Sequence, residues 1–338
     1  MTNARKRSPT ETDEPSKRVK TNSPAKLEKS TSVESSDEGL NNDKVVRRLN
    51  TPPLTDPSVV PDPNVDKVIY GQYEIDAWYY SPYPTDSGTK IEKLYICEYC
   101  LRYMNKESQL EGHKAICKEK KPPGKVIYAN GKIKVYEIDG QEHKFYCQNL
   151  CLLGKLFLDN KTLYFDIEGF KFYVLTEQNS KFKSYEEFIG FFSKEKVSYD
   201  NYNLACIMTL PSHQRKGYGR LLIELSYELS KHELKIGSPE KPLSPLGALG
   251  YQSYWSSTII ATLLHFRGDV TIEEICKETC IHEQDVIDTL SRLDLLRFRR
   301  EEDQREHICI TESMLQETIV NRNIKIGRKL DPSLIRWR

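Results

Sequence analysis

The stretch TLPSHQRKGYGRLLIELSYELS, Thr209–Ser230, decides the fold of this chain. It overlaps NLACIMTLP, an apolar run that ends at Pro211 and reads as a buried strand. It continues as GRLLIELSYELSKHE, which reads as a helix with Leu222, Leu225 and Leu229 on one stripe. Gly217 and Gly219 therefore fall at a strand-to-helix turn. The first N–H groups of a helix have no intrahelical acceptor and favour an anion, and glycine lets that anion come close to the backbone. Arg215, Lys216 and Arg220 add positive charge around the turn. The pattern is no Walker loop, since G-x-x-x-x-G-K-[ST] is absent, and no dinucleotide fingerprint, since the third glycine is missing. What remains is Q-x-x-G-x-G, from Gln214 to Gly219, which on its own also suits a plain tight turn.

The surroundings narrow the choice. The chain has 338 residues, enough for two or three domains with a sizeable core. Net charge is +1, so bulk charge points to no partner. Mean hydropathy is −0.61, and no apolar run has the roughly 18 residues a membrane span needs. The N-terminus shows no apolar core of a secretory signal. Nine cysteines, an odd number, suit a reducing compartment with some thiols on metal or in a site.

Residues 1–68 contain no aromatic residue and are read as a disordered tail. Within it, Arg5 and Lys6 precede Lys17, Arg18 and Lys20 at the spacing of a two-part nuclear import signal, or of an ordinary charged tail. Neither a chromo-type barrel nor a further finger is legible ahead of Tyr70.

Residues 91–121 hold CEYCLRYMNKESQLEGHKAIC, which places Cys97, Cys100, His113 and Cys117 at C-x2-C-x12-H-x3-C. Four such ligands suit tetrahedral zinc and leave no open position, so the metal is expected to be structural. His113 and Cys117 are expected on one helical face, with Met104 and Leu110 as the small core. One finger spans only about three base pairs, so folding or docking is favoured over DNA reading. Cys147 and Cys151 lack further ligands at suitable spacing and read as buried core.

In residues 255–338, Thr271 and Glu274 form a capping-box signature, followed by two amphipathic helices and the strand-like EHICIT. This is a helix-turn-helix with a wing in outline. Its second helix, EQDVIDTLSRLD, is acidic, which suits phosphates poorly. Packing is favoured, and any direct DNA binding is expected to be weak.

A strand, a Q-x-x-G-x-G loop and a helix resemble the GNAT-like way of holding the pyrophosphate of coenzyme A. The segments YGQYEIDAWYYSPYP, CEYCLRYM, QNLCLLGKLFLDNKTLYFD, GFFSKEK, GSPEKPLSPLG and YWSS extend this. Together with the opening stretch they resemble the MYST family of histone acetyltransferases over residues 69–338. The resemblance implies an α+β fold: an acetyl-CoA-binding core with a mixed central sheet (124–254), the zinc module before it and the helical part after it. It implies transfer of acetyl from acetyl-CoA to lysine ε-amines of histone tails, histone four above all, in the nucleus. Ile207, Thr209, Gln214, Arg215, Lys216, Gly217, Tyr218, Gly219, Arg220 and Ser244 match the residues expected at acetyl-CoA. Lys161 matches the autoacetylated lysine of the family. Pro245 and Gly250 depart from the family pattern, which usually has Asp and Ser there.

A lysine amine, with its pKa near 10.4, is unprotonated in only about one molecule in a few thousand at neutral pH. The chemistry therefore needs a general base. Glu240, between Pro239 and Pro242, takes that role by the resemblance. Cys206 lies just ahead of the loop; it either accepts acetyl covalently or packs as a small hydrophobe. Backbone N–H groups near Ile207 are expected to polarise the thioester carbonyl. His213 is read as a surface residue. Nucleosome targeting is expected to rest on partner subunits of a multi-protein complex. The other whole-protein reading is a non-catalytic zinc-finger and winged-helix regulator that binds chromatin or DNA.

Overall fold

The computed structural model describes residues 62–84, 90–159, 166–178, 185–266, 270–296, 298–300, 306–308 and 310–336. All lie within the compact unit Lys44–Arg338. The expected tail, apart from its last few residues, lies outside them.

Alternating apolar residues begin the described chain. Strand β1 (Val65–Tyr70) buries Val65, Val68 and Tyr70 completely. It pairs antiparallel with β2 (Tyr73–Asp76) and parallel with β3 (Ile91–Ile96), which pairs in turn with β4 (Tyr103–Met104). Helix α1 (Glu107–Ile116) closes this module. The tail boundary expected at 68 and the module start expected at 91 are both too late. The finger strand β3 needs β1 as its hydrogen-bonding partner, and a strand with aliphatic rather than aromatic residues is easily read as tail.

The central sheet has the order β10-β8-β7-β6-β5. It is built from β5 (Lys125–Asn130), β6 (Ile133–Asp139), β7 (Phe170–Gln178), β8 (Glu186–Glu195) and, beyond the short β9 (Tyr202–Leu204), β10 (Ile207–Thr209). These five strands are antiparallel to their neighbours. The parallel component enters through β11 (Ser238–Pro239), which pairs with β9. Bonds from Ala205 N to Ser193 O and from Ser193 N to Cys206 O, both 2.8 Å, tie β9 and β10 to β8 across the break between them. The sheet is thus mixed, as expected.

Period-two burial sends Phe172 and Val174 to one face and Tyr173 and Leu175 to the other. Helix α2 (Lys144–Lys155) covers the first face with Cys147, Leu150, Cys151 and Leu153, so both cysteines are core residues as read. Helix α3 (Tyr218–His232) covers the second with Leu221, Leu222, Leu225 and Leu229.

Helix α4 (Pro245–His265) crosses the boundary expected at 254/255 without a break. Its Tyr254 stacks on Tyr227 of α3 at 4.8 Å, and Trp255 Nε1 donates to Tyr227 Oη at 2.8 Å. Its later turns pack on α5 (Ile272–Thr279), α6 (Glu283–Arg292) and α7 (Glu312–Asn321). One helix therefore belongs to both parts. The capping box Thr271–Glu274 forms as read. The hairpin β12 (Phe298–Arg300) and β13 (Glu306–Ile308) supplies the wing. No helix among the described residues is long and apolar enough to cross a membrane.

Candidate active site and zinc centre

Cys97, Cys100, His113 and Cys117 bring their ligand atoms within 4.8 Å of one another, and Cys100 Sγ lies 3.2 Å from His113 Nε2. Three thiols and one imidazole at this spacing fit tetrahedral zinc. Leu110 is buried beneath them and Met104 is half-buried. One detail differs from the helical-face expectation. Helix α1 stops at Ile116, and Cys117 adopts extended φ/ψ, its N–H bonded to His113 O at 2.8 Å. The last ligand comes from the helix cap, where the chain turns back toward the metal.

The opening stretch folds as strand, short 3-10 turn (Pro211–His213) and helix. Gly217 is the N-cap of α3 at φ 91°, a left-handed conformation that only glycine adopts without strain. Among the described residues no side chain caps this helix, so its first N–H groups stay available to a ligand. Arg215 also has positive φ, 64°, and the two residues bend the loop around the helix end.

Two adjoining cavities of about 340 and 350 Å³ form one cleft along this loop. Gln214, Arg215, Gly219, Arg220 and Thr209 line one end. Cys206 and Glu240 line the other. Ile207, Ser244, Trp78, Phe157 and Leu158 line both. Lys216, Gly217 and Tyr218 stand off the walls: Lys216 Nζ donates to Ser212 O at 3.2 Å, and Tyr218 Oη to Glu177 Oε2 at 2.8 Å. Arg220 reaches the wall with its charge already engaged, by Glu224 at 2.6 Å, Ser257 at 2.6 Å and the Tyr254 ring at 5.0 Å. Lys161 lies outside the described residues.

Glu240 is anchored through its backbone N–H to Leu204 O at 2.8 Å, which sets it beside the strand break that carries Cys206. Cys206 N donates to Ser193 Oγ at 3.1 Å. Ser244 caps α4 by accepting from Gly247 N at 3.1 Å, and Pro245 takes the first helical position, where its missing N–H costs nothing. Gly250 sits on the cleft wall against Ile223.

Sequence reasoning missed several residues at this cleft. Trp78, Phe157 and Leu158 form its shared wall although they lie far from the glycine loop in sequence. Lys155 stands close enough to feel Cys206; burial pushes its ammonium pKa down, opposed by Asp159 and Cys206. The segments YGQYEIDAWYYSPYP and QNLCLLGKLFLDNKTLYFD held these residues, but spacing alone does not say which of them face inward.

His213 is a correction. It is 3 % exposed, not a surface residue, because the 3-10 turn tucks it under Tyr73 of the zinc module. Its Nδ1 lies 2.9 Å from Ser212 Oγ and its Nε2 3.5 Å from Glu187 Oε1. Burial pulls His213 down to about 4 and pushes Glu187 up to about 7, with Glu177 adding to the latter. Near neutrality their contact is therefore no ion pair.

A glycine loop opening a helix beside a broken strand, with a Cys3His module packed on the same core, is the architecture of an acetyl-CoA-binding acetyltransferase domain. Comparison with known proteins agrees. Residues 121–335 match the MOZ/SAS family, and residues 63–117 match the MYST family zinc finger domain. The chain belongs to the MOZ/SAS (MYST) family. It is 47 % identical over 256 residues to "Histone acetyltransferase MOF" of Drosophila melanogaster, covering 75 % of this chain and 30 % of that protein. It is 42 % identical over 274 residues to "Histone acetyltransferase of the MYST family 2" of Arabidopsis thaliana, covering 81 % and 60 %. Against "Histone acetyltransferase ESA1" of Saccharomyces cerevisiae the identity is 42 % over 275 residues, again covering 81 % and 60 %. The chain thus spans about 60 % of the length of the last two relatives and less of the first.

Proposed function

We propose that this chain moves acetyl from acetyl-CoA to lysine ε-amines of histone tails, with Glu240 as general base. The observation that carries the proposal is the single cleft with an uncapped, glycine-opened helix end on one side and Glu240 with Cys206 on the other. The helix end suits a pyrophosphate, and the apolar middle of the cleft suits the chain between pyrophosphate and thioester. The names of the relatives support the substrate class.

In the proposed reaction Glu240 takes the proton of the lysine ammonium. The freed nitrogen attacks the thioester carbonyl, the C–S bond breaks, and the CoA thiolate leaves and takes up the second proton that the nitrogen loses as it becomes an amide. Direct attack by the lysine is the simpler route and the one proposed; Cys206, which lines the same cavity, is the acetyl acceptor of the two-step alternative. Cys206→Ser is then expected to keep at least about a tenth of kcat, whereas loss of an activation partner costs about 100-fold or more. An acetyl-Cys206 adduct found by mass spectrometry after mixing with acetyl-CoA alone would favour the two-step route.

The primary test is transfer of labelled acetyl to a histone-four tail peptide by the zinc-loaded chain. Glu240→Gln is expected to lose about 100-fold near neutrality and to recover in part at about pH 9.5, where more of the substrate amine is free. No transfer by the folded wild-type chain counts against the reading and favours the chromatin- or DNA-binding one. Nuclear residence, supported by the basic clusters at Arg5–Lys20, and assembly into a multi-subunit complex acting on nucleosomes belong to the same proposal. Direct DNA contact by α6 has little support, since its Glu283 and Asp288 are exposed and would face phosphates with negative charge.

A further inference from the structure

The segment that carries Glu240 is gripped by the helix-turn-helix-like part. Asp285, near the start of α6, is 1 % exposed. A carboxylate there is costly unless its oxygens are bonded. Its two donors come from one short stretch: Ser238 Oγ donates to Oδ2 at 2.6 Å and Lys241 Nζ to Oδ1 at 2.7 Å. These donors bracket Glu240 in sequence. The backbone adds to the grip, with Gly237 N donating to Cys280 O at 3.0 Å and His282 N to Gly237 O at 3.1 Å. The bond from Glu240 N to Leu204 O holds the same stretch against β9. The base is thus suspended between the strand break of Cys206 and the N-terminal turn of α6.

We infer that Asp285 is a positioning residue for Glu240, and that the C-terminal helical part serves the acetyl-transfer centre by fixing the loop of the base. The inference rests on the reading of Glu240 as the base. A buried ion pair kept only for stability would be matched or bettered by apolar packing. Here both donors belong to the segment of the base, and the Lys241 side chain remains 46 % exposed.

The test uses the full zinc-loaded chain with acetyl-CoA and a lysine peptide. Asp285→Asn keeps an acceptor for Ser238 and loses the ionic hold on Lys241. Lys241→Gln changes the half-exposed partner, so it carries the test if Asp285→Asn fails to fold. Each variant is expected to lower kcat at least about tenfold, while peptide KM and the calorimetric Kd for acetyl-CoA stay within about threefold, because misplacing a reacting group acts on the chemical step. In a Glu240→Gln background, Asp285→Asn is expected to cost less than about twofold, since the residue it positions is already gone. Unchanged kcat in the folded variants, or a full additional loss in the Glu240→Gln background, overturns the inference. Glu240→Gln as active as wild type instead overturns the base reading itself, and this inference with it.

Discussion

Among the described residues a methyl group at position 219 would touch only Thr209 Oγ1, 3.7 Å away, which leaves room for it. Under the proposed function that space takes the pyrophosphate of acetyl-CoA. Gly219→Ala is therefore expected to leave the melting temperature unchanged or raise it slightly, and to weaken acetyl-CoA binding by at least about tenfold in calorimetry. Unaltered affinity would remove the cradle. Gly217 differs: at φ 91°, Gly217→Ala strains the backbone by about 1–2 kcal/mol and is expected to lower the stability of the fold as well. The sequence pattern marked both glycines and could not tell these two reasons apart. His213 was not legible at all, because its burial depends on Tyr73, far away in the chain. A histidine whose pKa is lowered to about 4 contributes stability that is complete above its ordinary 6.5 and is lost as pH falls through that window. Glu187, raised to about 7, works in the opposite sense: its burial costs nothing below its ordinary 4.5 and costs more as pH rises to about 7. Between 4.5 and 6.5 the two slopes oppose each other. Glu187→Gln is expected to stabilise the fold at pH 8 by up to about 3 kcal/mol, and to expose the histidine slope on the acid side. Denaturant melts at pH 5 and 8 check both signs.

At the scale of elements, the break between β9 and β10 does most to build the site. It lets one half of the strand pair with β11, which leads into Glu240, and the other half with β8, while Cys206 sits at the junction. Ser193, fully buried on β8, holds the junction by accepting from Cys206 N. Ser193→Ala takes this acceptor from a buried N–H and is expected to cost about 1–3 kcal/mol, with kcat falling more than acetyl-CoA affinity. An equal fall in both would mean that the break does not set the reacting end. The apolar run over these residues announced a strand but not its interruption, because residues on either side of the break are equally apolar. Helix α3 and the capping box of α5 were legible, since a leucine stripe and a Thr–Glu pair are local signals. The extent of α4 was not. It is apolar on most sides, so periodicity gives no edge, and it packs on two neighbouring groups of helices at once.

Across the whole molecule, the zinc module and the catalytic sheet share one core. Val65, Tyr70, Leu94 and Ile96 belong to the same apolar cluster as Leu150, Phe191, Met208 and Leu210. Removing zinc with a chelator is therefore expected to lower the melting temperature by more than about 10 °C in a single cooperative transition, and to weaken acetyl-CoA binding through Trp78. Two separate transitions, with the upper one and the affinity unchanged, would make the module an independent attachment. What the sequence determined by itself is what acts over short stretches of chain: four metal ligands within one finger, a loop that must bend at Gly217, a leucine stripe and a capping box. Hydrogen bonds, caps and ligand spacings of this kind are complete within a few turns of backbone, so their signal survives in one dimension. Only the tertiary structure decided that Glu240 and Cys206 line one cavity, that Trp78 walls it, that His213 is buried, and that Asp285 bonds the loop of Glu240. Each of these joins side chains from separate elements, and burial of a polar group against a distant partner exists only after the sheet and helices have packed.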